Sequence, residues 1–396
     1  MSEWKECKLG DIADITSSKR IFYSEYVSEG VPFYRSKEVI DKFNKRNVQT
    51  ELFISEERFK AIKEKFGAPK KDDILLTSVG TLGIPYLVNE KDRFYFKDGN
   101  LTWFRKIDKD RVDVNYLFLW LQSKIGQQKL YEITIGSTQP ALTIAELKEI
   151  DILLPFLPEQ HSIASILSSL DDKIDLLHRQ NKTLEALAET LFRQWFVEEA
   201  EEGGETVRVG DLVHTNIASI RKDNTPKTIS YLDTGSLTEG KMDGYQIFEI
   251  SDAPSRARRI VKHNDILIST VMPDQKHYGI LKNPAEDVIA STGFCVITCD
   301  KINPHFIYIL LTTDEMTEYL HSIAEGSTST YPSLKPSDIE GVKFQLPSQE
   351  KLDAFSEYAD NTWCKIDYNQ IQIRTLTRLR DTLLPKLMSG EVRVNI

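Results

Sequence analysis

The chain contains an internal repeat that spans about half of its 396 residues. The segment Lys173-Ile174-Asp175 recurs 192 positions later as Lys365-Ile366-Asp367. In the same register, LTIAEL at 142–147 aligns with LKPSDI at 334–339. The order of the shared segments is also the same in both copies. A repeat of this length indicates a duplicated domain.

The two copies diverge most in their first halves. Leu9-Gly10-Asp11-Ile12 corresponds to Val209-Gly210-Asp211-Leu212, and Asp73-Ile74-Leu75-Leu76 corresponds to Asp265-Ile266-Leu267-Ile268, but the sequences between them differ. With 40% apolar residues, a chain of this length can bury two ordinary cores. Two domains with a common fold and different surfaces predict a protein that recognises two different ligands or sites.

Composition narrows the classes of function. The formal net charge of −10 argues against coating nucleic acid by bulk attraction, although it allows a local basic face. No apolar run approaches the roughly 20 residues of a membrane span, and the N-terminus lacks a signal-peptide pattern. The four cysteines have no framework spacing, which is typical of a reducing compartment. We therefore expect a cytoplasmic protein with no membrane partner.

The sequence predicts a mixed α/β (α+β) fold in four segments. Residues 1–157 and 201–347 are predicted to form modules of short strands that each include one helix, at about 114–131 in the first and 304–323 in the second. Residues 158–200 and 348–396 are predicted to be helical.

Two sequence features mark the ends of these helical segments. An acidic, glycine-containing linker at 198–205 separates the two copies. Near the end of the chain, Pro385 is expected to kink or stop the last helix, and Gly390 is expected to terminate it.

Both helical segments carry a heptad seam, which is weaker in the second copy. The seam residues are Ile163, Leu167, Leu170, Ile174, Leu177, Asn181, Leu184, Ala188, Leu191 and Trp195, and then Phe355, Ala359, Thr362, Ile366, Asn369, Ile373, Leu376, Arg380, Leu383 and Leu387. Neither helix can bury its stripe on its own small module, so we expect an antiparallel coiled coil with the modules at opposite ends, related by a pseudo-twofold axis. One asparagine in each seam suits this arrangement, because a buried polar residue specifies register. The alternative is two long surface helices of one ordinary domain.

The sequence lacks the motifs of three kinds of catalytic or metal site. No Asn/Asp-Pro-Pro-aromatic segment is present to hold a flipped adenine, and no glycine-rich nucleotide turn is present. Pro273-Asp274 follows rather than precedes Asp171-Asp172-Lys173, which is the wrong order for a metal-dependent nuclease. Cys295 and Cys299 lack zinc-ligand spacing, so buried free thiols are the preferred interpretation even with His277 and His305 nearby in sequence. We therefore expect a chain without catalytic residues and without a bound metal.

The chain resembles the specificity subunit of type I restriction-modification enzymes over its whole length. The resemblance rests on short motifs that occur in the same order along the chain. They are Trp4-Lys5 with Leu9-Gly10-Asp11, the turn at 136–140, Leu154-Pro155 to Glu159-Gln160 with Ile163-Ala164, Phe192-Arg193-Gln194-Trp195-Phe196, and LLPKLMSGEVRV at 383–394. The second copy departs from the pattern with Ser348-Gln349-Glu350-Lys351 after Leu346-Pro347.

The resemblance implies a specific role. Two target-recognition domains each bind one half of a bipartite, asymmetric sequence in double-stranded DNA, and the helices space the half-sites. The implied partners are two methyltransferase subunits and restriction/translocase subunits, on which S-adenosylmethionine, ATP and Mg are expected. The candidate docking residues for these partners are Phe192, Trp195 and Phe196; the alternative is that they pack under the second module. The competing function is a coiled-coil adaptor whose modules bind protein or peptide ligands.

In the first module, the candidate DNA contacts lie on loops and at strand ends. They are Lys19, Arg20, Tyr34, Arg35, Ser36, Lys37, Lys63, Lys65, Lys70, Lys71, Thr77, Ser78 and Thr81. The lysines of the 63–71 cluster suit phosphate contacts, because an ammonium is a point charge whereas a guanidinium is a planar fork. Tyr34-Arg35-Ser36 is favoured as a base-reading segment by the family resemblance.

In the second module, the strongest basic run has no acidic residue between Asp252 and Asp265. Its candidates are Arg256, Arg258, Arg259, Lys262 and His263, with Arg221, Lys222, Tyr231, Lys276, His277 and Tyr278 elsewhere in the module. The alternatives are a solvated surface for the basic run and core packing for Tyr231. Ser137, Thr138, Ser327 and Thr328 recur after a glycine in both copies, where they could hold a phosphate or shape a turn.

Overall fold

The computed structural model describes residues 4–46, 48–136, 140–199, 204–221, 226–327 and 330–394. The chain forms two compact units, Met1–Asp175 with Arg374–Ile396, and Leu176–Ile373. Each unit contains one module and a part of both long helices. This division differs from the four segments predicted from the sequence, because helical residues such as Leu167 and Leu387 belong to the core of the first module.

Unit 1 contains ten strands and six short helices among its described residues. The strands are β1 (Lys5–Lys8), β2 (Asp14–Thr16), β3 (Tyr26–Val27), β4 (Val31–Tyr34), β5 (Phe53–Ile54), β6 (Ile74–Thr77), β7 (Pro85–Leu87), β8 (Tyr95–Phe96), β9 (Leu101–Arg105) and β10 (Asp151–Leu154). The helices are α1 (Leu9–Ile12), α2 (Ser36–Phe43), α3 (Glu56–Phe66), α4 (Val114–Gln122), α5 (Lys124–Glu132) and α6 (Ile144–Glu149). The long helix α7 (Leu157–Arg193) follows and continues into unit 2.

Unit 2 repeats the outline of unit 1. Its strands are β11 (Thr206–Arg208), β12 (Val213–Thr215), β13 (Thr228–Leu232), β14 (Leu237–Thr238), β15 (Lys241–Met242), β16 (Gln246–Glu249), β17 (Ala257–Ile260), β18 (Ile266–Ser269), β19 (Tyr278–Ile280), β20 (Val288–Ser291), β21 (Phe294–Cys299) and β22 (Lys343–Gln345). The helices are α8 (Val209–Leu212), α9 (Pro304–Thr312), α10 (Asp314–Glu325) and α11 (Pro336–Glu340), followed by the long helix α12 (Gln349–Ser389).

The sheets establish the repeat at the level of topology. A four-stranded sheet has the order β2-β9-β6-β7 in unit 1 and β12-β21-β18-β19 in unit 2. A second sheet contains the parallel pair β4 and β8 in unit 1, and the parallel pair β13 and β20 in unit 2. The small antiparallel pair β1 and β10 corresponds to β11 and β22. Buried apolar runs such as Ile74–Leu76 and Ile266–Ile268 place the central strands in the cores.

The two long helices run antiparallel within each unit. In unit 1, Arg380 of α12 is 2.8 Å from Asp171 of α7. In unit 2, Asn369 donates a hydrogen bond of 2.7 Å to Asn181, and Phe355 packs against Phe192. All the described seam residues are buried or half-buried. The predicted α+β fold with an internal repeat and two long antiparallel helices is confirmed.

Three details of the helices differ from the sequence-based expectations. The segment from 114 is two helices, because Ser123 ends α4 and caps α5 by accepting a hydrogen bond from the Gly126 amide at 3.1 Å. Thr313 separates α9 from α10 in the same way. Helix α12 continues through Pro385 to Ser389, although the proline removes one backbone hydrogen bond of the helix; Gly390, at φ 74°, terminates the helix as expected.

Candidate nucleic-acid interface

Four loops of unit 1 meet at one edge of its sheets. We call this edge loop rim 1 and define it as residues 34–36, 78–84, 97–100 and 140–142. The Ser78 amide donates to the Asn100 carbonyl at 2.8 Å, and the Leu142 amide donates to the Ser78 carbonyl at 2.9 Å. The Ser36 hydroxyl donates to the same Asn100 carbonyl at 3.4 Å. Segments that are far apart in sequence, and that were predicted separately as DNA contacts, therefore lie side by side.

The equivalent loops of unit 2 form loop rim 2, residues 232–234, 270–277, 291–293 and 330–334. The Thr270 amide donates to the Gly293 carbonyl at 2.8 Å, and the Leu334 amide donates to the Thr270 carbonyl at 2.7 Å. These bonds repeat the pattern at Ser78, 192 positions earlier. The Thr292 amide also donates to the Arg256 carbonyl at 2.8 Å, which ties the basic run to this rim.

Four predicted contact residues are buried and therefore correct the sequence-based expectation of display. Tyr34 stacks on Phe94 with ring centroids 4.4 Å apart, and Tyr231 packs against Phe248. Thr77 and Ser78 are buried; Thr77 accepts a hydrogen bond from the Ile84 amide at 2.9 Å, and Ser78 lies 2.6 Å from Thr102. These side chains pack and hydrogen-bond within the modules, beneath the rims.

Three predicted cations are neutralised by acidic neighbours. Arg20 is 2.7 Å from Asp98, and Arg35 is 2.7 Å from the buried Glu38. Lys276 lies between Asp314 at 2.6 Å and Glu239 at 3.6 Å. Hydrogen bonding to Asp314 raises the pKa of Lys276. Carboxylates within the protein largely compensate these three positive charges. The attraction of these side chains for DNA phosphates is therefore reduced.

Other predicted cations are exposed and form no ion pair with an acidic residue in the described part of the chain. They are Arg256, Arg258 and Lys262 in unit 2, and Lys37, Lys63, Lys65, Lys70 and Lys71 in unit 1. Arg221 and Thr81 are also exposed, and Arg259 is half-buried with its guanidinium 3.4 Å from Ser219. Arg221 and Arg259 apart, the structure therefore divides the described cations of this list into neutralised and available groups.

The remaining predicted residues are partly engaged or lie outside the described ranges. His277 contacts the Leu237 carbonyl and the Thr238 hydroxyl at 3.0 Å, and Tyr278 packs edge-on against Tyr308. Ser327 is half-buried and accepts a hydrogen bond from the Ser333 amide at 3.3 Å. Ser137, Thr138, Lys222 and Thr328 lie outside the described residues.

Sequence reasoning missed an aromatic and cationic patch in unit 1. Phe66, at the end of α3, is 40% exposed. The ammonium groups of Lys19 and Lys65 each lie 5.4 Å from its ring centroid. The available signal was the run Lys63 to Phe66, in which an aromatic residue follows lysines at the end of an amphipathic helix. Such a patch combines a stacking surface with positive charge.

The groups considered for zinc are engaged separately. His305 is buried, with Nε2 2.7 Å from the Lys282 ammonium and Nδ1 3.0 Å from Asp360. Burial lowers the pKa of Lys282 to about 8 and raises that of Cys295 to about 12. Within the described ranges, no group of three His, Cys, Asp or Glu side chains could hold a metal ion.

The aromatic residues at the end of α7, and in the π-helical turn Gln194–Glu198 that follows it, pack into unit 2. Phe192 is buried, with its ring centroid 5.1 Å from Phe306 and 5.2 Å from Phe196. Trp195 and Phe196 are half-buried against the same core. Phe192 is therefore inaccessible to a partner, and the core alternative holds for that residue because the Phe306 and Phe355 rings enclose it.

Comparison with known proteins finds similar chains over nearly the whole sequence. The family model of the type I restriction modification DNA specificity domain matches residues 1–186. The type I restriction enzyme MjaIX specificity subunit of Methanocaldococcus jannaschii is 30% identical over 430 residues, covering 99% of this chain and 94% of the relative. The HindI specificity subunit of Haemophilus influenzae is 24% identical over 470 residues, covering 99% and 100%.

A solved structure supports the fold independently. The type I restriction-modification S subunit from M. genitalium superimposes with a TM-score of 0.59 at 17% identity, covering 97% of this chain and 96% of that chain. The chain belongs to the specificity subunits of type I restriction-modification enzymes. The resemblance seen in the sequence is thus confirmed, and the adaptor alternative is not favoured. Among the described helices, none has the length and apolar content needed to cross a membrane.

Proposed function

We propose that this chain is a non-catalytic subunit that binds double-stranded DNA at a bipartite, asymmetric target, with one half-site for each module. The observation that carries this proposal is the pair of loop rims, which stand on the same sheet frame but differ in sequence and charge. Loop rim 2 is tied to the exposed Arg256, whereas loop rim 1 is flanked by Lys19 and by the ion pair of Arg20 with Asp98. Equivalent platforms with different surfaces suit the recognition of two different half-sites.

The two kinds of available cation suit two kinds of DNA contact. Lysines such as Lys63 and Lys70 would contact phosphates, which gives affinity that falls steeply with salt. Groups at the rims would contact base edges, which gives the preference for one sequence over another. The net charge of −10 keeps unspecific attraction low, so binding would depend on these local groups.

The subunit would act in the cytoplasm together with catalytic partners. We propose that two methyltransferase subunits bind S-adenosylmethionine and modify adenine, and that restriction/translocase subunits use ATP and Mg. Trp195 and Phe196 remain candidate docking residues, since both are half-buried. The family comparisons support an assembly of this kind, and the division of labour among the subunits is part of the proposal.

The direct test is to co-express the chain with its modification subunit in a host that lacks DNA methylation, and then to map modified adenines across the genome. The expected result is one gapped, asymmetric motif with a modified adenine in each half. A stable complex that methylates DNA without any sequence preference would contradict the proposal. Binding to mixed duplex DNA that is insensitive to salt would contradict the phosphate contacts.

We further propose that α7 and α12 set the gap between the half-sites. An insertion of one helical turn between Asp175 and Leu191 adds about 5.4 Å, and the base-pair rise is about 3.4 Å. The expected result is a gap altered by one or two base pairs, with unchanged half-site sequences. Altered half-sites with an unchanged gap would contradict this role, and methylation mapping of the inserted variant distinguishes the two outcomes.

A further inference from the structure

Two arginines of unit 2 stand on a strand that the surrounding backbone holds in place. Arg258 lies on β17, the last strand in the sheet order β16-β13-β20-β17, and Arg256 immediately precedes this strand. Both arginines are exposed, whereas Ala257 between them is buried. Neither pairs with an acidic residue within the described ranges.

Backbone hydrogen bonds fix both ends of this short segment. The Arg256 carbonyl accepts from the Thr292 amide at 2.8 Å, and the Arg258 carbonyl accepts from the Ile220 amide at 2.8 Å. The pairing with β20 changes register between Ala257 and Arg259, which makes Arg258 the extra residue of a β-bulge. A bulge re-aims a side chain, and bulges concentrate next to functional sites. The segment is therefore a fixed platform for two exposed guanidinium groups. The Arg258 guanidinium donates one hydrogen bond from Nε to the Ser255 carbonyl at 3.2 Å.

From this geometry we infer that Arg256 and Arg258 are specificity-determining residues that read guanines in the major groove. This inference rests on the proposed function. A guanidinium donates two parallel hydrogen bonds to O6 and N7 of guanine, which is the commonest specific contact in protein–DNA complexes. Two residues of extended chain span at most about 7 Å, and two base-pair steps span about 6.8 Å. The half-site of the second module therefore contains two guanine contacts that lie within two base-pair steps of each other.

The position of the two arginines beside loop rim 2 favours contacts with base edges. The Arg256 carbonyl is bonded to Thr292 in the 291–293 turn, and the Gly293 carbonyl of that turn is bonded to Thr270. The arginines thus lie at the border of the loops, where base readout is proposed. Lys276 of the same rim is already paired with Asp314. We therefore expect it to bind DNA less strongly than the two arginines. In unit 1, by contrast, the arginines nearest the rim, Arg20 and Arg35, are both paired with carboxylates.

Arginine-to-lysine variants separate base reading from phosphate binding. Lysine keeps the positive charge but loses the bidentate fork, so Arg256→Lys and Arg258→Lys preserve phosphate attraction and lose the preference for guanine. The experiment uses the full chain co-expressed with its modification subunit, and it maps methylation for the wild type, both single variants and the double variant. A matched control is Lys63→Gln in unit 1, which removes a positive charge but no guanidinium group.

The expected result is that each single variant relaxes one guanine position by about 10- to 100-fold in relative methylation. The double variant relaxes both positions, while the half-site of the first module is unchanged. The unchanged half-site also reports that the variant subunit has folded. Lys63→Gln is expected to lower methylation uniformly.

Two outcomes would overturn the inference. One is an unaltered motif in all three arginine variants; the other is a wild-type half-site that lacks two guanines within two base-pair steps of each other. Failure of the proposed function itself has a different signature, because the wild-type chain would then give no sequence-dependent methylation at all.

Discussion

The two modules share equivalent sheets, which we call the frame, but the segments between the equivalent strands differ. Between the equivalent strands β4 and β6, unit 1 contains the helices α2 and α3 and the two-residue strand β5; between β13 and β18, unit 2 contains the strands β14 to β17. The frame residues around these insertions keep their hydrogen bonds, as at Ser78 and Thr270. The two copies therefore keep the same core pattern while the segments between the equivalent strands differ.

Local sequence accounts for the different insertions. Helix α3 begins after Ser55, which caps it by accepting a hydrogen bond from the Arg58 amide at 3.1 Å. Acidic residues follow in its first turn and lysines occupy its last turn, which matches the helix dipole. In unit 2, the corresponding region pairs Thr228–Leu232 with Gln246–Glu249, and β-branched and aromatic residues in both strands suit a sheet.

One buried carboxylate recurs in both frames. Asp73 accepts hydrogen bonds from the Lys70 amide at 3.0 Å and from the Trp103 indole at 2.9 Å. Asp265 accepts from the Lys262 amide at 2.8 Å and from Thr298 at 2.6 Å. Burial raises the pKa of both aspartates. The hydrogen bond from the lysine backbone amide is the same in both copies, whereas the side chain that donates to the aspartate differs. The turn before β6 and β18 is therefore part of the shared frame.

A second recurrent feature is a left-handed residue in each rim. Gly80 has φ 80°, and Met272, 192 positions later, has φ 49°. A side chain in this region costs roughly 1–2 kcal/mol, which glycine avoids. Loop rim 2 therefore carries backbone strain that loop rim 1 lacks, at the equivalent position. Strain of this kind is typical of functional loops.

The largest expected effect tests whether the two helix ends contribute equally to their units. Phe192 and Leu384 are equivalent, but Phe192 is buried and Leu384 is half-buried. Phe192→Ala is expected to destabilise unit 2 by about 3–5 kcal/mol, and Leu384→Ala to destabilise unit 1 by about 1–2 kcal/mol. Chemical denaturation gives the magnitude, and hydrogen exchange of the full chain identifies the unit. Equal losses would contradict the difference in burial.

A second test concerns the polar pair in the seam of unit 2. Asn369 donates to Asn181, and both are buried, whereas the equivalent positions hold Leu177 and Ile373. Asn181→Leu alone is expected to cost about 1–3 kcal/mol, because it leaves the Asn369 amide unsatisfied.

The double variant Asn181→Leu/Asn369→Leu is the matched control for this pair. It is expected to recover most of the loss, since an apolar pair replaces both polar groups. Additive losses in a double-mutant cycle would show that the two side chains are not coupled.

A third test uses the pH dependence of unit 2. Burial, with a contribution from the charge of Glu239, raises the pKa of Glu185 to about 7. The protonated form therefore stabilises the fold fully below the ordinary pKa of a glutamate, and this stability is lost as the pH rises through about 7. Glu185→Gln is expected to be more stable than the wild type by about 1–3 kcal/mol at pH 8. The equivalent residue in α12 is Thr377, so the feature is confined to one copy.

Thermal unfolding of both proteins across pH 4 to 9 is the measurement for Glu185. The difference should vanish near pH 4 and reach its full size above about pH 8. Glu239→Gln should move the midpoint of this dependence to lower pH, because it removes a nearby negative charge. A difference that is constant over the whole range would refute the assignment to Glu185.

The smallest expected effect is a reciprocal exchange at the left-handed position. Met272→Gly should stabilise unit 2 by about 0.5–1 kcal/mol, and Gly80→Ala should destabilise unit 1 by about 1 kcal/mol. A side chain at Gly80 would meet nothing within 4 Å, so its cost is conformational. Thermal unfolding measures both variants, and a loss of stability in Met272→Gly would show that Met272 packing outweighs the strain.

Much of the fold could be predicted from the sequence because it depends on patterns that lie along the chain. The repeat, the heptad seam and the buried runs at 74–76 and 266–268 are local periodicities, and they correctly indicated the α+β frame and the long helices. The breaks at Ser123 and Thr313 were missed, because the caps interrupt apolar patterns that continue on both sides.

The state of each candidate DNA contact was decided by tertiary structure. Arg20 meets Asp98, and Lys276 meets Asp314, at separations along the chain that no local pattern encodes. Tyr34 and Arg256 are similar as candidates in the sequence, yet packing buries one and leaves the other exposed. The sequence by itself determined the family, the repeat and the set of basic residues that are candidates for DNA contacts. Which of those cations remain available depends on charges brought together by folding, because an ion pair depends on distance in space and not on distance along the chain.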